Sequence, residues 1–295
     1  MGDVREFFVV NSFASKPFGG NPAAVVTDAN GLDKSTMQKI ARQFNLVETV
    51  FVVQEKSGEA DFHLLYFTPA EELPVAGHPT IAAILALVEC RTIDLHTKSS
   101  ITIRTGAGKQ EILIKNESQP TVLMQQPKPE YLPIVHDRQD ITAILGINND
   151  DLYPDLPIQP INTGLGHLIV PVKSLAALMK IERRVSLLKT ACRRLGVREV
   201  QAFTFETYEP GYNLHTRNIC PREGLEDPGC GVGNGALGAY LAEHYSKGDI
   251  SVRAEQGTIV DMPCIIDIYV VKGEQGVAVS IGGTGKVMMK GQFYL

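Results

Sequence analysis

The sequence lacks the features that mark membrane, secreted and nucleic-acid-binding proteins. Its longest apolar run, residues 81–88, is far shorter than the roughly 20 residues that a membrane-spanning helix needs. No basic run exceeds three residues and the net charge is -5, which argues against a nucleic-acid surface. The five cysteines show no regular spacing, and the first residues show no signal-peptide pattern. We therefore expect reduced thiols and a cytoplasmic protein.

Metal-binding and nucleotide-binding patterns are also missing. The histidines other than His78 do not have the spacing of a zinc site, so we expect no metal. Residues 233–238 fit the spacing G-x-G-x-x-G, but an acidic loop precedes them instead of the strand that a dinucleotide fingerprint requires. We therefore expect no bound nucleotide. The composition, 44% hydrophobic and 21% charged over 295 residues, is typical of a globular protein with room for two domains.

One stretch, residues 222–245, combines acidic side chains, a thiol and a run of glycines. Glu226 and Asp227 precede Cys230, and glycine occupies positions 229, 231, 233 and 235. From Ala236 onward, apolar residues recur at helical spacing. The sequence therefore predicts an acidic loop, a glycine-rich turn and then a helix. Bare backbone N–H groups and the positive helix N-terminus would form a pocket for a carboxylate or phosphate.

The remaining pattern predicts alternating strands and helices. In the first half we expect strands near residues 4–10, 47–53 and 62–68, a turn and strand within 18–26, a helix from Asp33 or Ser35 to Phe44, and a hairpin at 101–115. Pro79 suits the first position of a helix through residue 88 that is apolar on every face. In the second half we expect a turn and strand within 162–172, strands near 200–205 and 212–219, and a helix at 186–195.

The two halves share this order, and a shift of 152 positions aligns several residues without a gap. The aligned pairs are Pro69 with Pro221, Glu71 with Glu223, Leu73 with Leu225, Gly77 with Gly229 and His78 with Cys230. This indicates an ancient duplication into two lobes, connected near residues 118–133. We expect the turns at 77–80 and 229–235 to form the two walls of one cleft.

Ordered motifs through nearly the whole chain carry a family resemblance. They are Pro17-Phe-Gly-Gly-Asn-Pro-Ala-Ala-Val-Val, Glu48-Thr-Val-Phe-Val, Tyr66-Phe-Thr-Pro, Gly77-His-Pro-Thr, Asn162-Thr-Gly, Arg217, Glu226-Asp-Pro and Gly282-Gly-Thr. The set resembles the PhzF-like family of phenazine-biosynthesis isomerases. The resemblance implies an α+β fold of the diaminopimelate-epimerase type, in which two pseudo-symmetric lobes each wrap a curved, mostly antiparallel sheet around a central helix. It places the first lobe at 1–118 with a returning strand at 284–295, and the second at 119–283.

The resemblance also implies roles for individual residues. The family's acid/base glutamate falls on Glu48, its catalytic histidine on His78, and its catalytic aspartate, which would orient the substrate and support proton transfer, on Asp227. Substrate binding falls on Asn21, Gly77, Cys230, Gly231, Val232 and Gly233. It further implies a homodimer that works on a small carboxylate-bearing metabolite without cofactor or metal. Simpler interpretations exist for the acidic residues: Glu48 as an exposed strand end, and Asp227 as the cap of a turn.

The sequence departs from the family pattern at the glycine run. Cys230 stands where the family has threonine, and Val232 where it has serine, so residues 229–233 look more like the catalytic-cysteine turn of amino-acid epimerases. A helix N-terminus favours a thiolate, whereas the nearby Asp227 opposes it. We therefore expect a PhzF-like isomerase, with two alternatives: an epimerase or racemase that uses Cys230, and a non-catalytic small-molecule binding protein.

Overall fold

The computed structural model describes residues 3–221, 226–274 and 276–295. The strands are Val4–Ser12 (β1), Asn21–Val26 (β2), Thr49–Gln54 (β3), Phe62–Phe67 (β4), Glu72–Leu73 (β5), Ser100–Thr105 (β6), Gly108–Lys115 (β7), Thr121–Gln125 (β8), Glu130–Tyr131 (β9), Gln159–Asn162 (β10), Gly166–Pro171 (β11), Glu199–Thr204 (β12), Leu214–Ile219 (β13), Ile250–Gln256 (β14), Cys264–Gly273 (β15), Gly276–Gly283 (β16) and Gly285–Tyr294 (β17). The α-helices are Lys34–Phe44 (α1), Gly77–Glu89 (α2), Arg138–Leu145 (α3), Leu175–Lys180 (α4), Val185–Leu195 (α5) and Gly231–His244 (α6).

The chain divides into two units, Met1–Met124 with Gly282–Leu295, and Gln125–Ile281. In the first unit, β1 pairs antiparallel with β2 and with β17, so the last strand of the chain belongs to this unit. β2 runs parallel to β3, β3 antiparallel to β4, and β4 parallel to β6, which forms a hairpin with β7. Helix α2 contacts β1, β2, β3 and β17 and is the centre of the unit.

Helix α1 covers the outer face of these strands and begins as the sequence predicts. The Asp33 carboxylate accepts a hydrogen bond from the N–H of Thr36 at 2.8 Å, which satisfies one of the free donors of the first turn. The apolar face of the helix packs on the outward side chains of β3 and β4. This small core comprises Val26, Ala29, Met37, Ile40, Ala41, Phe51 and Phe67.

Helix α2 is buried over nine consecutive residues, Pro79 to Leu87, because it is apolar on every face. It begins at Gly77, so Pro79 is its third residue and not its first as predicted. Proline is tolerated there because the first turn of a helix needs no N–H from it. The one polar residue inside, Thr80, donates to the Ala76 carbonyl at 2.7 Å, so Tyr66 donates to the Thr80 hydroxyl at 2.6 Å.

The second unit repeats this arrangement around α6. β10 pairs antiparallel with β11, β11 runs parallel to β12, β12 antiparallel to β13, β13 parallel to β14, and β14 antiparallel to β15. Helix α6 contacts β10, β11, β12, β14 and β15. Helices α3, α4 and α5 cover the opposite face of the β11–β12 pair through a separate core that contains Leu168, Val170, Val200 and Ala202. Since side chains alternate along a strand, the residues between them face α6.

The order of elements is therefore the same in both units. Each has an antiparallel strand pair, one or two crossover helices, a parallel strand with its antiparallel partner, a central helix and a further parallel strand. This repetition agrees with the duplication that the sequence indicates. Of the aligned pairs, those that involve Glu223 and Leu225 lie outside the described residues. The expected connection at 118–133 contains β8 and β9, so it is more ordered than a plain linker.

The glycine run does not form the predicted turn, because α6 already begins at Gly231. Glycine is a poor helix former, but close packing requires it here. A Cβ atom at Gly233 would lie 2.5 Å from Oε1 of Gln201, and one at Gly238 would lie 2.7 Å from Cγ2 of Ile268. The two central helices have 13 and 14 residues. Neither they nor any other helix in the described part of the chain is long and apolar enough to cross a bilayer.

Candidate active site

Glu48 and His78 form a close buried pair in the first unit. Oε2 of Glu48 lies 3.3 Å from Nε2 of His78, and the two side chains are only 15% and 10% exposed. Despite this distance, neither atom makes a hydrogen bond within the described residues. The structure thus brings together two predicted catalytic residues and excludes the simpler interpretation of Glu48 as an exposed strand end.

Backbone contacts at the ends of the strands position this pair. Glu48 directly precedes β3, and its carbonyl accepts the N–H of Ala24 on the parallel strand β2 at 3.3 Å. His78 is the second residue of α2, and its carbonyl accepts the hydroxyl of Ser12 at 2.7 Å. Ser12 pairs in register with Asn21, whose side chain is buried. The predicted substrate-binding residue Asn21 therefore lies on a strand that is tied to the pair.

The N-terminus of α2 adds hydrogen-bond donors beside the pair. The residue before the helix is Ala76, which has no side chain that could cap it. In the described structure, nothing lies within 4 Å of the place that a Cβ atom would take at Gly77. The first N–H groups of a helix lack partners within the helix and attract anions. A carboxylate could therefore approach the backbone at Gly77, as the sequence predicts.

In the second unit, the acidic pair Glu226 and Asp227 divides into two separate roles. The guanidinium of Arg217 binds Glu226 with two hydrogen bonds of 3.0 and 2.9 Å, and both side chains are buried. Another nitrogen of Arg217 donates to the carbonyls of Leu178 and Ile181. Glu226 is thus a structural ion-pair partner, and the predicted chemistry can rest only on Asp227.

Asp227 is half-buried at the entrance to α6. Its Oδ1 accepts the N–H of Gly229 at 3.0 Å, and its carbonyl accepts Nε2 of Gln256 at 3.0 Å. The first of these bonds is an Asx turn, the simpler role that the sequence allows for this residue. The catalytic role of Asp227 stays a prediction.

Cys230 caps helix α6. Its Sγ accepts the N–H of Gly233 at 3.3 Å, and the residue is buried rather than exposed by the glycine run. The predicted substrate-binding residues Gly231, Val232 and Gly233 form the first turn of the helix. The N–H of Gly233 is thus already bonded to the thiol. If Gly233 binds substrate as predicted, it would do so by allowing close packing and not by donating this N–H.

The sequence analysis missed two residues next to the thiol, His167 and Glu199. They face each other on the parallel strands β11 and β12, with Nε2 and Oε2 3.4 Å apart. Nε2 of His167 also lies 3.7 Å from Sγ of Cys230. The duplication could have indicated Glu199. This residue begins β12, much as Glu48 directly precedes β3 in the other unit.

Comparisons with known proteins show the family. A family model described as phenazine biosynthesis-like protein matches residues 10–291. The chain belongs to this family. An uncharacterized isomerase of Clostridium acetobutylicum is 32% identical over 98% of this chain and 97% of its own. The trans-2,3-dihydro-3-hydroxyanthranilate isomerase of Pseudomonas fluorescens is 29% identical over 99% of this chain and 100% of its own.

Solved structures confirm the predicted fold class. The crystal structure of the Bacillus anthracis PhzF-family protein has a TM-score of 0.90 and 29% identity, over 99% of this chain and 100% of that chain. A hydroxyproline epimerase from Agrobacterium vitis has a TM-score of 0.64 and 15% identity, over 99% and 93% of the two chains. The second match extends the likeness to the fold of an amino-acid epimerase and carries no argument about activity.

Proposed function

We propose that the protein is an isomerase that moves a proton within a small carboxylate-bearing metabolite, with Glu48 as the acid/base group. The prediction of an isomerase is confirmed at the level of the class, since relatives along nearly the whole chain are named isomerases. The observation that carries the residue assignment is the buried pair of Glu48 and His78, 3.3 Å apart and without hydrogen bonds at the facing atoms within the described residues.

The chemistry is a proton transfer from one carbon to another. Glu48 takes a proton from a carbon that is acidified by a neighbouring unsaturated group, and the electron pair left behind shifts the double bond. The same carboxylic acid then returns the proton to the far end of the shifted system, so no net oxidation occurs. His78 contacts the substrate beside Glu48, and the first N–H groups of α2 stabilise the developing negative charge.

The substrate class follows from the donors at Gly77 and from the relatives. The name of the Pseudomonas fluorescens relative specifies trans-2,3-dihydro-3-hydroxyanthranilate, a ring compound that carries a carboxylate. An uncapped helix N-terminus such as that of α2 suits a carboxylate of this kind. We propose a substrate that carries a carboxylate and also the acidic C–H that the proton transfer requires.

Exchange of substrate protons with solvent tests this proposal. Wild-type protein and Glu48→Gln would be incubated in deuterium oxide with a panel of small unsaturated carboxylates that includes trans-2,3-dihydro-3-hydroxyanthranilate. We expect wild type to convert at least one compound, with deuterium at the newly protonated carbon in NMR spectra, and Glu48→Gln to be inert. Full turnover by Glu48→Gln would refute the role of the carboxylate.

The epimerase alternative is favoured by one contact, the 3.7 Å distance between Sγ of Cys230 and Nε2 of His167. A thiol beside an imidazole is a plausible second base. In that case Cys230→Ser would reduce turnover as severely as Glu48→Gln, and deuterium would enter with inversion at carbon. If neither variant changes ligand binding and wild type turns over no compound, the protein is a binding protein.

The resemblance also leads us to propose a homodimer in the cytoplasm. All five cysteines are free thiols, and four of them are buried, as suits a reducing compartment. Light scattering coupled to size-exclusion chromatography should give about twice the chain mass of 32.2 kDa. A mass equal to that of one chain would refute the dimer.

A further inference from the structure

We infer that His167, Glu199 and Cys230 form a binding site for one zinc-like divalent cation in the second unit. This inference does not depend on the role of Glu48, and it revises the expectation from histidine spacing. The ligand atoms, Nε2, a carboxylate oxygen and Sγ, all lie within 4.8 Å of one another. The three residues are far apart in sequence, so no local sequence motif indicates the site.

Two of the three distances between these atoms fit tetrahedral coordination, and the third, between Glu199 and Cys230, is below 4.8 Å. Nε2 of His167 lies 3.4 Å from Oε2 of Glu199 and 3.7 Å from Sγ of Cys230. Bonds of zinc to nitrogen, oxygen and sulfur are about 2.0–2.3 Å long, which places tetrahedral ligand atoms about 3.3–3.7 Å apart. A cation among the three atoms therefore requires only small side-chain shifts.

The imidazole of His167 is already oriented as a ligand. Nδ1 lies 2.9 Å from the carbonyl oxygen of Leu165 and donates its N–H to it, because a carbonyl can only accept. In the neutral ring, this places the lone pair on Nε2, the atom that faces Glu199 and Cys230. A backbone carbonyl bound to the second ring nitrogen is the usual support of a metal-binding histidine.

Rigid elements hold all three residues and bury them. His167 and Glu199 are paired in register on β11 and β12, and Cys230 caps α6, which packs on both strands. Their exposed fractions are 0%, 4% and 8%. A buried carboxylate favours a cation beside it. Nε of Arg198 lies 3.9 Å from Oε1 of Glu199, and the Arg198 side chain is largely exposed.

The donor set specifies the chemical class of the ion. A thiolate and an imidazole together select zinc and similar borderline-soft metals over magnesium or calcium, which prefer oxygen ligands. Three protein ligands leave a fourth position for water or another small ligand. Binding converts the Cys230 thiol to a thiolate, and its proton leaves to solvent.

A titration with zinc tests the site without any activity assay. Purified full-length protein would be stripped with a chelator, exchanged into metal-free buffer and titrated with zinc against a chromophoric competitor. We expect one zinc per chain, and a loss of affinity of at least about 100-fold in His167→Asn, Glu199→Gln and Cys230→Ser, since even residues behind a metal ligand are worth about 10–100-fold. Equal affinity in wild type and Cys230→Ser, or no stoichiometric binding at all, would overturn the inference.

Cys192→Ser is the matched control, because Cys192 is another buried cysteine of the same unit. Its side chain lies in the separate apolar core on the opposite face of β11 and β12. Cobalt(II) adds a signature, since a thiolate ligand gives a near-ultraviolet charge-transfer band. The band should appear in wild type and Cys192→Ser and be absent in Cys230→Ser. Should Cys230→Ser fail to fold, Glu199→Gln, which keeps the side-chain size, decides through its zinc affinity.

Discussion

Oε2 of Glu48 and Nε2 of His78 face each other at 3.3 Å in the first unit, yet neither is hydrogen-bonded within the described residues. Buried polar atoms almost always have partners, and leaving one without costs about 1–3 kcal/mol. A protein tolerates such a cost mainly where a ligand completes the bonds. We therefore expect the substrate to supply hydrogen-bond partners to these two side chains, as the proposed role of Glu48 requires.

Shortening Glu48 should damage the reaction nearly as much as neutralising it. Glu48→Asp keeps the charge but retracts the carboxylate by one carbon, and a misplacement of about 1 Å can cost about 100-fold in rate. Glu48→Gln removes the acid/base function, which is worth about 10²–10⁴-fold. We therefore expect kcat to fall about 100-fold in Glu48→Asp and at least as far in Glu48→Gln, with KM changed much less.

Steady-state kinetics on the compound found by deuterium exchange would measure both constants. Glu71→Asp is the control, since Glu71 is an exposed carboxylate of the same unit. Wild-type kcat in Glu48→Asp would show that the exact position of the carboxylate is unimportant and that Glu48 acts only through its charge.

The sequence was most informative where local chemistry decides the structure. The cap at Asp33 and the apolar residues at helical spacing in α1 can be recognised without knowledge of tertiary contacts. The apolar run that became α2 could only be a buried helix in a protein without membrane-spanning signals. The motif around Glu48 and Gly77-His78 likewise led to two residues that the structure brings together.

Long-range packing explains what the sequence did not predict. In the sequence, the glycines of α6 predict a turn. In the structure they belong to a helix, because Gln201 and Ile268 occupy the space that side chains would take at Gly233 and Gly238. His167 and Glu199 became a pair only through the register of β11 and β12, which no single-sequence pattern specifies. The partnership of Glu226 with Arg217 was equally hidden, because a carboxylate next to Asp227 looks the same in either role.

Adding one methyl group at Gly238 should destabilise the second unit. The new Cβ would lie 2.7 Å from Cγ2 of Ile268, 3.2 Å from Cγ2 of Val270 and 3.3 Å from Cγ1 of Val279. Branched side chains cannot easily rotate away. We expect Gly238→Ala to lower the free energy of unfolding by about 1–3 kcal/mol, although alanine is the better helix former.

Urea unfolding followed by circular dichroism would measure this loss. Gly248→Ala is the matched control, because nothing in the described structure lies within 4 Å of its added Cβ. Its free energy of unfolding should stay within about 0.5 kcal/mol of wild type. Equal stability of the two variants would mean that α6 can shift away from β15, contrary to a tightly packed centre.

Neutralising Glu226 should destabilise the protein strongly. Glu226→Gln keeps the shape but leaves the guanidinium of Arg217 buried without its counter-charge, since the two side chains are only 7% and 4% exposed. Breaking a buried ion pair from one side costs about 3–5 kcal/mol. We expect a loss of that size in urea unfolding at pH 7.

The double variant Glu226→Leu/Arg217→Met provides the control. Replacing both charges by apolar groups removes the unpaired ion, so stability should recover in part. Recovery should remain incomplete, because Arg217 also donates to the carbonyls of Leu178 and Ile181 at 2.9 and 3.0 Å. A double variant less stable than Glu226→Gln would show that these carbonyl bonds, and not the ion pair, dominate.

Acid should destabilise the protein partly through His215. This ring is fully buried, and burial lowers its pKa below the ordinary value even though Glu255 accepts from Nδ1 at 2.9 Å and favours the charged form. The unfolded state then binds a proton more readily than the folded state. The neutral ring's contribution is therefore present above about pH 6.5 and is lost as the pH falls below it.

Replacing the ring isolates its share of this effect. The amide of His215→Gln can still donate to Glu255 but does not titrate, so the stability of the variant should fall less steeply between pH 7 and pH 5. One proton taken up on unfolding gives at most about 1.4 kcal/mol per pH unit, and the two slopes should differ by up to that amount. Urea unfolding at several pH values measures both slopes. The half-buried His63 and His244, whose pKa values are also lowered by burial, are present in both proteins and cancel in the comparison. Parallel slopes would show that His215 takes up its proton equally well in the folded protein, with Glu255 outweighing burial.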